Sequence, residues 1–161
     1  MSVSFDELYR RHLCRHGQFG INILHLASVI VTYVSVIEIL FQFTQAIWIV
    51  GAIWGSYSLL LLCNLRIGLF LVTNVVLAAM LGLAVVLPPL PVTWAWVYVL
   101  VILASHRFQL WSHSVYTEHR DMTEFQKKYP KGATLFVVLL IYELPILLNF
   151  FLLNKKEPKY A

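Results

Sequence analysis

Five apolar runs, each close to the length of a bilayer crossing, follow a short mixed segment at the start of the chain. They are Ile23 to Phe41, Ala46 to Cys63, Ile67 to Leu87, Val92 to Tyr116 and Ala133 to Leu153. Crossing a hydrocarbon core about 30 Å thick takes roughly 20 helical residues. Backbone groups in lipid must be paired within the segment, so runs of this kind fold as helices and the polar breaks become turns. Leu87-Pro88-Pro89-Leu90-Pro91 is such a turn, because proline cannot continue a helix and restricts the residue before it. Asn64-Leu65-Arg66 is a shorter polar interruption. In the opening segment, Ser4 and Glu7 have capping-box spacing. Phe5, Leu8, Tyr9 and Leu13 form an apolar stripe flanked by Arg10, Arg11 and Arg15, which predicts an amphipathic interfacial helix ended by Gly17 and Gly20. The pattern therefore predicts an all-α integral membrane helical bundle. It has four to five transmembrane helices and an N-terminal interfacial helix, in a single membrane-embedded domain over residues 1–161. No internal repeat or low-complexity linker divides it.

Composition agrees. The 161 residues are 60% hydrophobic and 12% charged, whereas a soluble domain carries about 25% charged residues. A net charge of +4 fits basic cytosolic loops and calls for no nucleic-acid partner. Cys14 and Cys63 give neither a disulfide framework nor metal-finger spacing. The first apolar run lacks a small-residue cleavage site and precedes further runs, so it reads as a retained helix, not a signal peptide.

Charge also orients the chain. Arg10, Arg11 and Arg15 precede the first run, Arg66 lies between the second and third, and Arg120, Lys127, Lys128 and Lys131 lie between the fourth and fifth. The remaining connections carry no Lys or Arg. Four spans with a cytosolic N-terminus satisfy the positive-inside rule. The fifth run conflicts with it, since a full crossing would carry Lys155, Lys156 and Lys159 outside. Pro145 beside Glu143 points to a kinked or re-entrant segment, and a full fifth span with a basic tail outside stands as the other reading. Of the two carboxylates in apolar runs, Glu38 falls near the outer end of the first span, where simple exposure accounts for it. Glu143 either faces the histidine region or pairs with a basic residue.

The six histidines occupy two stretches: His12, His16 and His25, then His106, His113 and His119. The orientation puts both stretches at the same face of the membrane, as a metal site assembled by folding requires. His106 and His113, seven residues apart on one helix, are separated by about 10 Å along its axis and cannot easily share one ion. His12 and His16 have the chelating i, i+4 spacing, and His25 follows a glycine-containing bend that can fold back towards His16. Gln109 lies four residues before His113 and can orient its imidazole. The residue types alone permit iron, zinc, copper or manganese. They also leave open a haem-binding helical bundle, or a non-catalytic scaffold or small transporter with incidental histidines.

The stretch Arg15-His16-Gly17-Gln18-Phe19-Gly20-Ile21-Asn22-Ile23-Leu24-His25 resembles the first motif of the yeast-type membrane 2-hydroxy fatty-acid dioxygenases of fatty-acid α-oxidation. Phe108 to Tyr116, with Gln109 and His113, is similar to their second motif, and Ile141-Tyr142-Glu143-Leu144 to a glutamate-bearing segment near their C-terminus. Ile21 stands where the family often has asparagine, with Asn22 one place later. Ser112 replaces the usual glycine, and Glu118 comes one residue late. The resemblance implies an iron(II) enzyme that consumes oxygen and shortens a 2-hydroxy fatty acid by one carbon. It further implies His16, His25 and His113 as ligands to Fe(2+), with Glu143 a weaker candidate and Gln109 and His12 in support. Arg107 or Arg120 is the candidate partner for the substrate carboxylate. The expected partners are a fatty-acyl substrate, molecular oxygen and the lipid bilayer. The expected membrane is the endoplasmic reticulum in a eukaryote and the inner membrane in a bacterium.

Overall fold

A computed structural model describes residues 4–44, 47–88, 90–116, 123–130 and 132–153. The apolar runs fold as helices: α1 (Phe5–Arg15), α2 (Phe19–Thr44), α3 (Ile47–Asn64), α4 (Ile67–Val86), α5 (Ala95–Val115), α6 (Thr123–Lys128) and α7 (Ala133–Leu148). A 3₁₀ turn over Val92–Trp94 leads into α5, and a wider π turn over Asn149–Leu153 extends α7. No strand occurs among the described residues, and the protein is an all-α bundle.

Four segments are long and apolar enough to cross a membrane: Phe19–Gln42, Ile47–Asn64, Ile67–Val86 and Ala133–Leu153. The fourth expected span, in α5, is not among them. At 21 residues its length suffices, but Ser105, His106, Arg107, Gln109, Ser112 and His113 crowd its second half. It nevertheless runs along α2 from end to end. Near its start, the Tyr98 hydroxyl reaches Glu38 Oε2 at 3.3 Å. Just past its end, the Tyr116 ring lies so close to Gly20 that an added Cβ would sit 2.5 Å from it.

The last apolar run is helical from Ala133 to Leu153, passing through Pro145 and ending in the π turn. Pro145 lies inside α7 and has no N–H to offer the carbonyl of Ile141. The Tyr57 hydroxyl of α3 donates to that oxygen at 2.7 Å, so the proline leaves no orphaned acceptor there. Phe136 shares a cavity wall with the histidines, and Phe151 packs edge-on against Phe19 at the start of α2. Both parts of this segment thus meet the histidine end of the bundle.

Helix α1 caps that end. Leu8, Tyr9 and Leu13 are buried with Leu61, Tyr142 and Ile146, so its apolar stripe is covered by protein. Ser4 occupies the N-cap position without a side-chain cap bond, so the expected capping box does not form. Glu7 instead accepts hydrogen bonds from Lys128 Nζ at 2.8 Å and from the Tyr129 hydroxyl at 2.7 Å. Arg66 approaches Asp6 at 3.5 Å. The α3–α4 turn and α6 therefore gather with α1 at one basic end.

Glu38 corrects an expectation: it is 1% exposed, not solvated. Its Oε1 has no hydrogen-bond partner, while Oε2 meets Tyr98. Between α3 and α4, Asn74 Oδ1 accepts from Trp54 Nε1 at 2.9 Å and from Ser58 Oγ at 2.6 Å. Hydrogen bonds of this kind join helices where lipid supplies no competing partner.

Candidate metal centre

The site begins at the α1–α2 corner, where Asn22 is fully buried. Its Nδ2 donates to the carbonyls of His16 at 2.6 Å and Gln18 at 2.8 Å. Those two bonds fix the amide, so Oδ1 is an acceptor and takes the Nε2–H of His12 at 2.6 Å. One side chain thus satisfies backbone groups left open between two helices and anchors an imidazole. The His12 ring then stacks on that of His16, with centroids 4.3 Å apart.

Hydrogen bonding assigns the tautomer of His16. Its Nδ1 faces the carbonyl of His12 at 3.3 Å and must donate. Its Nε2 therefore presents a lone pair, and that atom lies 3.4 Å from Nε2 of His113 on α5. His25, one helix away on α2, turns Nδ1 towards Glu143 Oε1 at 3.4 Å. Its Nε2 is buried with no hydrogen-bond partner. Ring centroids of His25 lie 4.7 Å from His16 and 5.1 Å from His113. One ligand atom from each of the three imidazoles falls within 4.8 Å of the others.

Two nitrogens bound to one ion at about 2.1 Å each stand roughly 3.0–3.5 Å apart. The His16–His113 separation falls in that range. The orphaned Nε2 of His25 is the other sign that the donors suit an ion, because a buried nitrogen without a partner is costly unless something fills the gap. Burial drives the His12 pKa down to about 4, against an opposing effect of the Asn22 hydrogen bond. Burial, then the neighbouring His12, pushes His16 well below the usual imidazole range. The neutral form that results is the one that binds metals.

Glu143 sits behind this group. Gln109 Nε2 donates to its Oε1 at 3.0 Å, and the same oxygen faces His25. Gln109 therefore orients Glu143, not His113 as its spacing had indicated. Glu143 thus faces His25 from the Nδ1 side, where a carboxylate can orient an imidazole.

A cavity of about 290 Å³ opens beside the imidazoles. His106 borders it as an exposed side chain, and Arg11 and Arg15 of α1 line one wall. Leu110, Phe136, Leu139, Leu140 and Ile146 supply an apolar wall from α5 and α7. Arg107, expected near a substrate carboxylate, is exposed and is not among the lining residues. Arg120 and His119 lie outside the described residues. Arg11 and Arg15, which the sequence marks only as basic residues beside the apolar stripe of α1, were not expected at the site. Their i, i+4 spacing on the face that also carries His12 was the available signal. The role of Asn22 was missed too, although an amide between two histidines at a helix corner is a recognisable cue.

No family model matches the chain, and no curated protein or solved structure matches it.

Proposed function

We propose that the protein is an iron(II)-dependent dioxygenase that cleaves the C1–C2 bond of 2-hydroxy long-chain fatty acids. The observation that carries this reading is the convergence of three imidazoles beside a cavity with cationic and apolar walls. When bound, iron would supply the site at which oxygen and the 2-hydroxy acid are activated. His16, His25 and His113 would hold it, leaving positions open on the cavity side. The reaction balances with one O2: the 2-hydroxy acid gives an acid one carbon shorter, CO2 and water.

The chain's own residues do the remaining work. Asn22 and Glu143 hold imidazoles in place and limit their tautomers. The apolar wall takes the acyl chain, whose burial stabilises by about 0.8 kcal/mol per methylene. Clustering of Arg10, Arg11, Arg15, Arg66, Lys127 and Lys128 at this end supports a cytosolic-facing site by the positive-inside rule. A bundle with haem gains no support, because the His16 and His113 rings meet edge to face with centroids 4.8 Å apart, and no porphyrin fits between them.

The test is turnover of 2-hydroxypalmitate by detergent-purified protein. Loss of the odd-chain product on chelation, with recovery on adding iron(II), is the expected result. Undiminished turnover in excess chelator would refute the mechanism. A protein with neither turnover nor bound metal would instead be a scaffold or transporter.

A further inference from the structure

Arg11 is a partly buried charge beside the cavity. Its Nε is buried without a hydrogen-bond partner, and its guanidinium carbon lies 5.1 Å from the Phe125 ring centroid. A cation–π contact of this kind gives its N–H donors no conventional acceptor. Arg15, one turn on, lines the same cavity. Two like charges on successive turns repel, and among the described residues no carboxylate pairs with either. Such an arrangement calls for an anion.

The rest of the cavity says what kind of anion. Helix α7 packs on α4, α2 and α1, while α5 packs along α2. The second half of α5 and one side of α7, from Phe136 to Ile146, thus flank a cleft that the Gln109–Glu143 hydrogen bond spans. Its rim residues Leu110, Phe136 and Leu140 are exposed, and Ile146 lies buried inside. A small inorganic anion has no use for this wall. A single-chain amphiphile matches both parts, with its head at the arginines and its tail between the helices.

We propose that Arg11, supported by Arg15, is the positioning residue for the carboxylate of a long-chain acid, which enters sideways through the α5–α7 cleft. This rests on the functional reading above for the place of the acid beside the imidazoles, but binding itself needs no metal. A planar guanidinium pairs with a carboxylate through two parallel N–H···O bonds, which holds the acid in one orientation. Arg11 thereby takes the role expected of Arg107, which does not line the cavity, as the residue that selects an acid over other lipids.

The experiment compares binding of palmitate and hexadecanol to the full-length protein in detergent, with and without chelator. The expected result is palmitate binding weakened at least tenfold in Arg11→Gln, with hexadecanol unaffected. Arg10→Gln, an exposed change on the same helix, leaves both unchanged. Arg11→Lys keeps the charge and gives an intermediate loss, which guards against a misfolded glutamine variant. Leu140→Trp, at the mouth of the cleft, weakens both ligands. Equal binding of palmitate and hexadecanol by the parent protein, no palmitate binding, or full palmitate binding by Arg11→Gln would overturn the proposal. Arg11-dependent binding without any turnover of 2-hydroxypalmitate would sink the dioxygenase reading and leave this one standing.

Discussion

Nε2 of His16 and Nε2 of His113 lie 3.4 Å apart although 97 positions separate them in the chain. The tautomer of His16 is set from behind by a backbone carbonyl, so its Nε2 is an acceptor that faces either the Nε2–H of His113 or, in the other His113 tautomer, a second lone pair. With both lone pairs free, the two nitrogens and a ring nitrogen of His25 have the spacing that one shared ion would need.

Glu143→Gln tests the support behind His25. The amide keeps the shape of the side chain but loses the negative charge facing Nδ1. Metal affinity is expected to fall by about 10–100-fold, the usual effect of losing a carboxylate behind a ligating imidazole, while helicity by circular dichroism stays unchanged. Unaltered affinity in a metal titration would remove Glu143 from the site.

Asn22→Ala leaves two backbone carbonyls and His12 Nε2 without their partner. Each buried group left unsatisfied costs about 1–3 kcal/mol. The α1–α2 corner should loosen, seen as faster amide hydrogen exchange over Leu13 to Ile23 and as weaker metal binding. Protection equal to the parent's would show that the corner does not depend on this amide.

Tyr57→Phe tests the proline in α7. Removing the hydroxyl orphans the Ile141 carbonyl, at a cost of about 1 kcal/mol in a denaturant titration. The double change Tyr57→Phe with Pro145→Ala should recover much of that loss, because alanine restores the N–H that proline lacks. Equal destabilisation in both would mean the hydroxyl acts elsewhere.

The docking of α1 on α6 depends on acid. Hydrogen bonds from Lys128, then from Tyr129, hold the Glu7 pKa below its ordinary value of 4.5. The folded pKa is depressed, so the contribution is present above the unfolded value. It is lost as pH falls through the lower folded value. Glu7→Gln should flatten this part of the stability–pH profile: the variant is less stable than the parent at pH 7, where the contribution is present, and the two converge as pH falls below the folded value. An identical profile for both proteins would assign the acid response to other groups.

The helices were legible because apolar runs of bilayer length admit few alternatives. α1 was legible down to its buried face, since Leu8, Tyr9 and Leu13 fall on one stripe. Rotation of the later helices was not. α2, α3 and α4 are apolar nearly all round, so no stripe marks the side that packs, and the burial of Glu38 could not be read. The gathering of the histidines followed from charge and connectivity. The partner of Gln109 did not, because spacing along α5 names a neighbour on the same helix and says nothing of α7. Arg11 and Arg15 were hidden for a similar reason: spacing along α1 does not show that residues of α5 and α7 line the same cavity.

Iron content by mass spectrometry, after anaerobic loading and desalting, tests the central claim most directly when the parent protein is compared with the His16→Ala, His25→Ala, His113→Ala triple variant. The account predicts one iron per chain in the parent and none above background in the variant, with both helical by circular dichroism. Equal iron in the two, or none in the parent, would contradict it.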